Sequence, residues 1–409
     1  MLWRATVFVK ERMSRMSRWK IKNIVLVLLA IACYIIGVRK YYELRGNYQS
    51  VSVRLQGEAT TKEKVKTLIE EEKEKYEMEK DNEKELNKRL DSVKKVPEIT
   101  AYEEENYMKV TDTKYGKSMN VTKYLVYGDM NQILPVQICR GNYIYEDDYE
   151  GCILDKKTAY KLFGSLDIIG QQVSIDEKVI AAKKEENSGS SQGEQESTVK
   201  QREYYVRGIL DTSHPIVMVH ARSDKTQFHN LQFNYGDSSR GREYVEQLMM
   251  IYPIGSSPVI VDQNLMVRLI GNILFLPWLF VGIFILCKTV RVFLAYFKEK
   301  KYRKETPQIF IKKLVPVILA VIGIVITAKR FAFFPLQYIP TKWSDFNSVS
   351  RTIDLIGKHV EEFSYVTPTI REVLLRENMN KLVMAVIGMA VIIWVVIERV
   401  HANIIAKSD

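Results

Sequence analysis

"GCILDKKTAYKLFGSLDIIGQQVSID", residues 151–176, is the stretch that decides the fold. It opens on an apolar run at Cys152–Leu154, short enough for a buried strand. Lys156–Phe163 follows with helix-favouring residues and stops at Gly164, the residue type that ends helices in a left-handed C′ position. Gly170 marks a second turn, and Gln172–Ile175 then alternates apolar and polar side chains at the strand period. The stretch reads as strand, helix, strand. It contains no histidine, no nucleophile with a base beside it and no glycine-rich phosphate loop, so its order serves packing.

Working outward, Val51, Val53 and Leu55 in "YQSVSVRLQG" (48–57) alternate as in a half-buried strand. Thr60 and Thr61 offer an N-cap to a charged, helix-favouring segment, residues 61–95. Its apolar positions Val65, Leu68, Ile69, Tyr76, Leu86, Leu90 and Val93 have helical spacing, with a gap between Tyr76 and Leu86. One such helix would reach on the order of 50 Å and form a stalk. The gap favours the plainer reading, ends packed on a sheet and a solvated middle.

Further strands are predicted at Glu98–Tyr102, Tyr107–Thr111, Met119–Tyr127 and Tyr204–Leu210, and a helix at 240–250. Residues 181–203, rich in Ser, Gly, Glu and Lys, read as a flexible loop between two strands. The order of elements predicts an α+β unit with antiparallel pairing.

The chain has 409 residues, 60 basic against 49 acidic, for a formal charge of +11. The excess is local. Residues 1–22 carry seven Lys/Arg against Glu11, and residues 288–313 carry nine against Glu299 and Glu305, so the remainder is slightly acidic. These segments flank apolar runs at 23–38, 266–287, 314–328 and 382–397, each near the roughly 20 residues that cross a bilayer. With the basic segments inside, orientation follows: cytoplasmic tail 1–22, span 23–38, extracytoplasmic domain 39–265, span 266–287, cytoplasmic loop 288–313, span 314–328. An external segment, 329–381, then carries amphipathic helices broken near Thr367 and Pro368, followed by span 382–397 and a cytoplasmic tail, 398–409. The chain is thus expected in a cell membrane, multi-pass, with its amino terminus cytoplasmic. "AIAC" at Cys33 resembles a processing site, but the apolar run continues to Val38, as in an uncleaved anchor. The aromatic residues of 330–346 suit a membrane interface, and the basic loop suits anionic lipid.

Candidate chemistry is sparse. "YGKS" (115–118) lacks the first glycine of a phosphate loop, since Thr111 stands there, and reads as a polar turn. His214, His220 and His229 lack metal-ligand spacing, and Glu146, Asp147, Asp148 and Glu150 lack the pattern of a calcium loop. No metal, bound cofactor, nucleic-acid partner or catalytic residue is expected. Cys139 and Cys152 are both external, and the sequence allows either a disulfide or two buried thiols.

The order of parts, one span, a large external α+β domain and three more spans, resembles the permease subunits of MacB/FtsX-type ABC transporters. The resemblance is carried by "ILPVQICRGNYIYEDDYEGCILDKKTAYKLFGSLDIIGQQVSID" (133–176) followed by "YYVRGILD" (204–211). Gly141, Asn142, Asp147, Leu162, Phe163, Gly164, Asp167, Ile169, Gly170, Val206 and Gly208 match the pattern of a MacB-like periplasmic core domain. The resemblance implies a non-enzymatic permease-like subunit, a homo- or heterodimer. It implies that a separate cytoplasmic ABC ATPase hydrolyses ATP and drives the external domains through the loop between spans two and three, for export or mechanotransmission. Lys300, Lys301, Arg303, Lys304 and Glu305 lie in that loop, where "KYRKETPQIF" (301–310) departs from the family by its Pro307. The alternative is a membrane-anchored sensor or regulator whose external domain binds a cell-wall factor or peptide without transport.

Overall fold

The structure is a computed structural model that describes residues 2–80, 96–180, 197–236, 240–298, 307–335, 346–364 and 367–405. It divides into two compact units. One comprises Gln49–Asn264 and Gly357–Arg371, and the other Met1–Tyr48, Leu265–Ile356 and Glu372–Asp409.

The helices are α1 (Leu2–Asn47), α2 (Lys62–Lys80), α3 (Lys156–Phe163), α4 (Gly241–Ile251), α5 (Gln263–Lys298), α6 (Pro307–Phe331), α7 (Phe346–Ser364) and α8 (Ile370–Ile405). The strands are β1 (Ser50–Leu55), β2 (Thr60–Thr61), β3 (Glu98–Asp112), β4 (Ser118–Tyr127), β5 (Ile138–Gly141) and β6 (Gly151–Asp155). They continue with β7 (Gln172–Ile180), β8 (Ser197–Leu210), β9 (Ile216–His220), β10 (Gln227–Phe228), β11 (Asn230–Asn234) and β12 (Pro258–Asp262).

In the first unit six strands close on themselves: β3 pairs β4, β4 pairs β9, β9 pairs β6, β6 pairs β8, β8 pairs β7 and β7 returns to β3. Closure removes two exposed sheet edges. Every strand of the ring sends alternate side chains into one core, among them Val110, Val121, Leu154, Val173, Val206 and Val219, joined by Ala159 and Leu162 of α3. From the first half of β3 the sheet continues antiparallel through β11 and β1 to β12. That extension buries Val51, Val53, Leu231 and Phe233 against Val65 and Leu68 of α2 and Val245 and Leu248 of α4.

The predicted strand, helix and strand of residues 151–176 are β6, α3 and β7, and α3 has the predicted bounds. Several expectations are corrected. Glu98–Tyr102 and Tyr107–Thr111 are one strand, β3, whose register shifts between Glu105 and Met108, with Tyr107 at φ 62° absorbing the bulge. Pairing is not wholly antiparallel, because β4–β9 and β6–β8 are parallel. The loop is shorter than 181–203: ladder pairing carries β7 and β8 on to Ile180 opposite Ser197. Helix 61–95 is described as Lys62–Lys80, and its remainder lies outside the described residues.

Three helical segments, lying in the second unit except for the first two residues of the latter two, are long and apolar enough to cross a membrane among the described residues: Ile21–Asn47, Gln263–Arg291 and Ile370–Arg399. They run past the predicted limits of 23–38, 266–287 and 382–397 because the apolar runs sit inside longer helices. α8 begins directly after the break at Thr367–Pro368, so the second amphipathic helix and the last span are one helix. The predicted run 314–328 is helical within α6 but is not one of these three segments, so the described residues do not establish a fourth span. Tyr41 and Leu44 of α1, Val267 and Leu274 of α5, Phe331 of α6 and Leu382 and Val386 of α8 form a common core. Asn272 clasps the main chain beyond α6, donating to the Phe333 oxygen at 2.9 Å and accepting from its nitrogen at 2.7 Å.

Candidate functional site

Most glycines of the family-like pattern meet on β8. Gly141 at the end of β5 lies opposite Gly208 and has φ +72°. A β-carbon there would stand 2.1 Å from the Arg207 carbonyl oxygen, and one at Gly208 would stand 2.5 Å from the Asn142 oxygen. Only glycine allows two main chains this close. The Asn142 nitrogen donates to the Arg207 oxygen at 3.1 Å. On the other flank the Gly170 nitrogen donates to the Val206 oxygen at 2.8 Å, and the Val206 nitrogen donates to the Gln171 oxygen at 2.9 Å. Two loops from different parts of the sequence therefore grip Val206–Gly208.

Opposite β6 the register steps from Val206 to Gly208, leaving Arg207 as a bulge. One extra residue switches the faces of a strand. Tyr204 and Val206 enter the ring core before the bulge, and Ile209 enters after it. Arg207, turned outward, donates from Nε to Asp148 at 2.8 Å. Burial acts to raise the Asp148 carboxyl, but the Arg207 guanidinium and the amides of Glu150 and Gly151 outweigh it, so the group titrates below its ordinary value. Asp148, not the predicted Asp147, supplies the acid of this turn, and Asp147 is exposed. Sequence reasoning missed Arg207; its only signal was a charge between apolar positions in "YYVRGIL".

The remaining predicted positions serve structure. Leu162 is buried in the ring core, with Phe163 packed against it, and Gly164 caps α3 at φ 72°. Asp167 donates its main-chain nitrogen to Ser165 Oγ at 3.0 Å in the turn that follows. Asp112 accepts from the nitrogens of Lys114 and Tyr115 at 2.9 and 3.0 Å, which makes "YGKS" a capped turn between β3 and β4. Lys300, Lys301, Arg303, Lys304 and Glu305 lie outside the described residues. Pro307 is the first residue of α6, where a missing N–H costs nothing.

The histidines are dispersed. His220 sits between the carbonyls of Val126 and Ile144, His229 bonds Glu103 at 3.0 Å, and His214 is in the turn after β8. Among the described residues no group of three or more His, Cys, Asp or Glu is placed to hold a metal. Cys139 and Cys152 are free thiols. They lie on β5 and β6, on opposite sides of β8. Two strand spacings are about 9.5 Å, beyond the roughly 7 Å that a disulfide tolerates between Cα atoms.

A cavity of about 230 Å³ is lined by Tyr127, Glu146, Asp147, Tyr149 and His220. Beside it the Lys62 ammonium lies 5.4 Å from the ring centres of both Tyr127 and Tyr149 and donates to the Ala221 oxygen at 3.1 Å. The aromatic pair thus already holds a cation from the chain itself.

No family model matches the sequence, and no curated protein matches it. Among solved structures, the extracellular domain of the noncanonic ABC-type transporter YknZ from Gram-positive bacteria is similar to 52% of this chain over 100% of its own length, at 14% identity and a TM-score of 0.34. The periplasmic region of MacB from Actinobacillus actinomycetemcomitans is similar to 55% of this chain over 94% of its own length, at 10% identity and a TM-score of 0.35.

Proposed function

We propose that the chain is a permease-like subunit of an ABC transporter complex, itself non-enzymatic. In this reading a separate cytoplasmic ATPase hydrolyses ATP, and the resulting movement of the spans is passed to the external unit. One observation supports it above others: the two strands that adjoin apolar helices are hydrogen-bonded neighbours. β1 begins three residues after α1 ends, β12 runs into α5 with no residue between, and Val51 pairs with Asp262. A strand joined to a helix by two residues or by none has little freedom to absorb its displacement. The ladder between β1 and β12 makes shear between the two expensive, because each lost backbone bond leaves buried donors and acceptors unsatisfied. The closed ring fits the load-bearing end of such a device, being densely cross-linked and buried.

The proposal includes four spans, a cytoplasmic amino terminus, a dimeric assembly and the 288–313 loop as the ATPase contact. The test is affinity purification of the full chain from its native membrane, with and without charge reversal at Arg303 and Lys304. Co-purification of an ABC ATPase, lost on charge reversal, is the expected result. Purification without an ATPase, together with stimulation of an external enzyme by the chain, would overturn it in favour of a membrane-anchored sensor.

A further inference from the structure

β1 is buried on both faces. Val51, Val53 and Leu55 face the apolar core, and the intervening Ser50, Ser52 and Arg54 are buried as well, at 4%, 2% and 6% exposure. The polar face of β1 meets Gln232 of β11, Gln263 at the start of α5 and Arg371 at the start of α8. Gln232 and Gln263 are 0% exposed and Arg371 is 4% exposed. All of them belong to the same compact unit.

The hydrogen bonds converge. Arg371 donates from Nε to Gln263 Oε1 at 2.7 Å, from Nη2 to Ser50 Oγ at 3.0 Å, and from Nη1 to the Gln132 oxygen at 2.7 Å. Gln263 Nε2 donates to Ser52 Oγ at 2.9 Å, and Ser52 Oγ donates to Gln232 Oε1. Arg54 donates to the carbonyl of Thr367, just ahead of α8. A guanidinium removed from water is costly unless its donors are satisfied, so a buried arginine holding several acceptors fixes their relative positions tightly.

Chain position gives the cluster its meaning. Ser50 follows α1, Gln263 opens α5 and Arg371 is the second residue of α8, and these three helices carry the apolar segments. α1 and α5 reach the sheet through the main chain. α8 has no strand of its own here, and its start is tied to the sheet by side chains.

We propose that Arg371 is a positioning residue that keys the start of α8 to β1 and to the start of α5, so that the three chain segments leading into the apolar helices are fastened together in one buried joint within this unit. The purpose assigned to the joint rests on the transporter reading; its existence as a local fastening does not.

The test is hydrogen exchange on the full chain in lipid nanodiscs, comparing wild type with Arg371→Met and Arg371→Lys. Losing several charge-assisted bonds at one locus should speed exchange about tenfold or more in peptides covering Ser50–Leu55, Val261–Asn264 and Ile370–Arg371. Peptides from β6 and β8 in the ring should stay as in wild type. The lysine variant, which keeps the charge but cannot bridge the same acceptors, should loosen the same three regions to a smaller degree. Two outcomes would overturn the proposal: unchanged exchange in all three regions in both variants, or Arg371→Met loosening ring and joint alike while Arg371→Lys matches wild type. The readout needs no ATPase, so absence of an ATPase partner would remove the transporter reading and leave this result standing.

Discussion

Replacing Gly141 by alanine tests the seam on β8 directly. The new methyl would lie 2.1 Å from the Arg207 carbonyl oxygen and 2.8 Å from Ile169 Cδ1, at a φ of +72°. Two costs add. A left-handed backbone costs a non-glycine residue roughly 1–2 kcal/mol. The clash is with a main-chain oxygen, which no rotamer change relieves, and overpacking of this kind costs about 1–3 kcal/mol. Gly141→Ala should therefore lose about 2–5 kcal/mol. Gly164 has the same φ, +72°, with nothing within 4 Å of an added β-carbon. Gly164→Ala carries the backbone cost alone, so the difference between the two variants, about 1–3 kcal/mol, isolates the close approach. In a unit of this size 1 kcal/mol moves Tm by about 2–4 °C. Trp3, Trp19, Trp278 and Trp394, four of the five tryptophans, lie outside this unit, so tryptophan fluorescence is a poor reporter. Proteolysis pulses along a temperature ramp, read on fragments of the ring strands, report on it. If Gly141→Ala melts together with Gly164→Ala, the two loops do not grip β8 and the seam is refuted.

Other expectations follow from the same geometry. Asp148 titrates below its ordinary value, so its contribution is present above about pH 4 and is lost as pH falls through the depressed folded value; Asp148→Asn should cost about 1 kcal/mol near neutrality and nothing in acid, by denaturant midpoints at the two pH values. Asp155 runs the other way: burial raises its carboxyl against the bonds from Thr158 and the amide of Ile216, so its stabilising effect is fullest in acid and fades as pH rises through the raised value. Asp155→Ala removes the cap of α3 and orphans the Ile216 nitrogen, now bonded at 2.8 Å, for a loss of about 2–4 kcal/mol, whereas Asp155→Asn should lose less, measured by the same midpoints. Burial pushes the Cys152 thiol far up, so a maleimide at neutral pH should label Cys139 well before Cys152, and peptide mapping under oxidising conditions should find no bridge between them.

The elements built on local contrast were legible in the sequence. Lys156–Phe163 stops at Gly164, a signal that acts within a few residues, whereas the Asp155 cap at its start went unread. Val51, Val53 and Leu55 showed the core face of β1 because strand period alone assigns them. Closure of the ring was not legible. It depends on β9, a short run buried throughout at Ile216–His220, pairing parallel to β4 on one side and antiparallel to β6 on the other. A five-residue apolar run carries no mark of its neighbours. Asp147 and Asp148 are adjacent acids in one turn, and the partner that separates them, Arg207, is 59 residues away.

β1 shows how the standard reading of alternation misleads at such a site. Ser50, Ser52 and Arg54 occupy the positions that period-two reasoning assigns to water, yet they are buried, the serines against Gln263 and Arg371 from helices that begin more than two hundred residues later and Arg54 on the Thr367 carbonyl. Hydropathy separates apolar from polar, and it cannot distinguish a polar face turned to solvent from one turned to other polar groups. The distinction costs free energy only in the folded chain, where each buried donor must find an acceptor. The same burial that hid the joint from the sequence gives it directional strength: apolar side chains slide past one another with little change in contact, whereas a guanidinium bonded to Gln263, Ser50 and the Gln132 carbonyl loses its partners if any one of them moves by about an ångström. Under the transporter reading proposed above, an element that had to follow a moving helix in register would be better fastened by the second kind of contact than by the first.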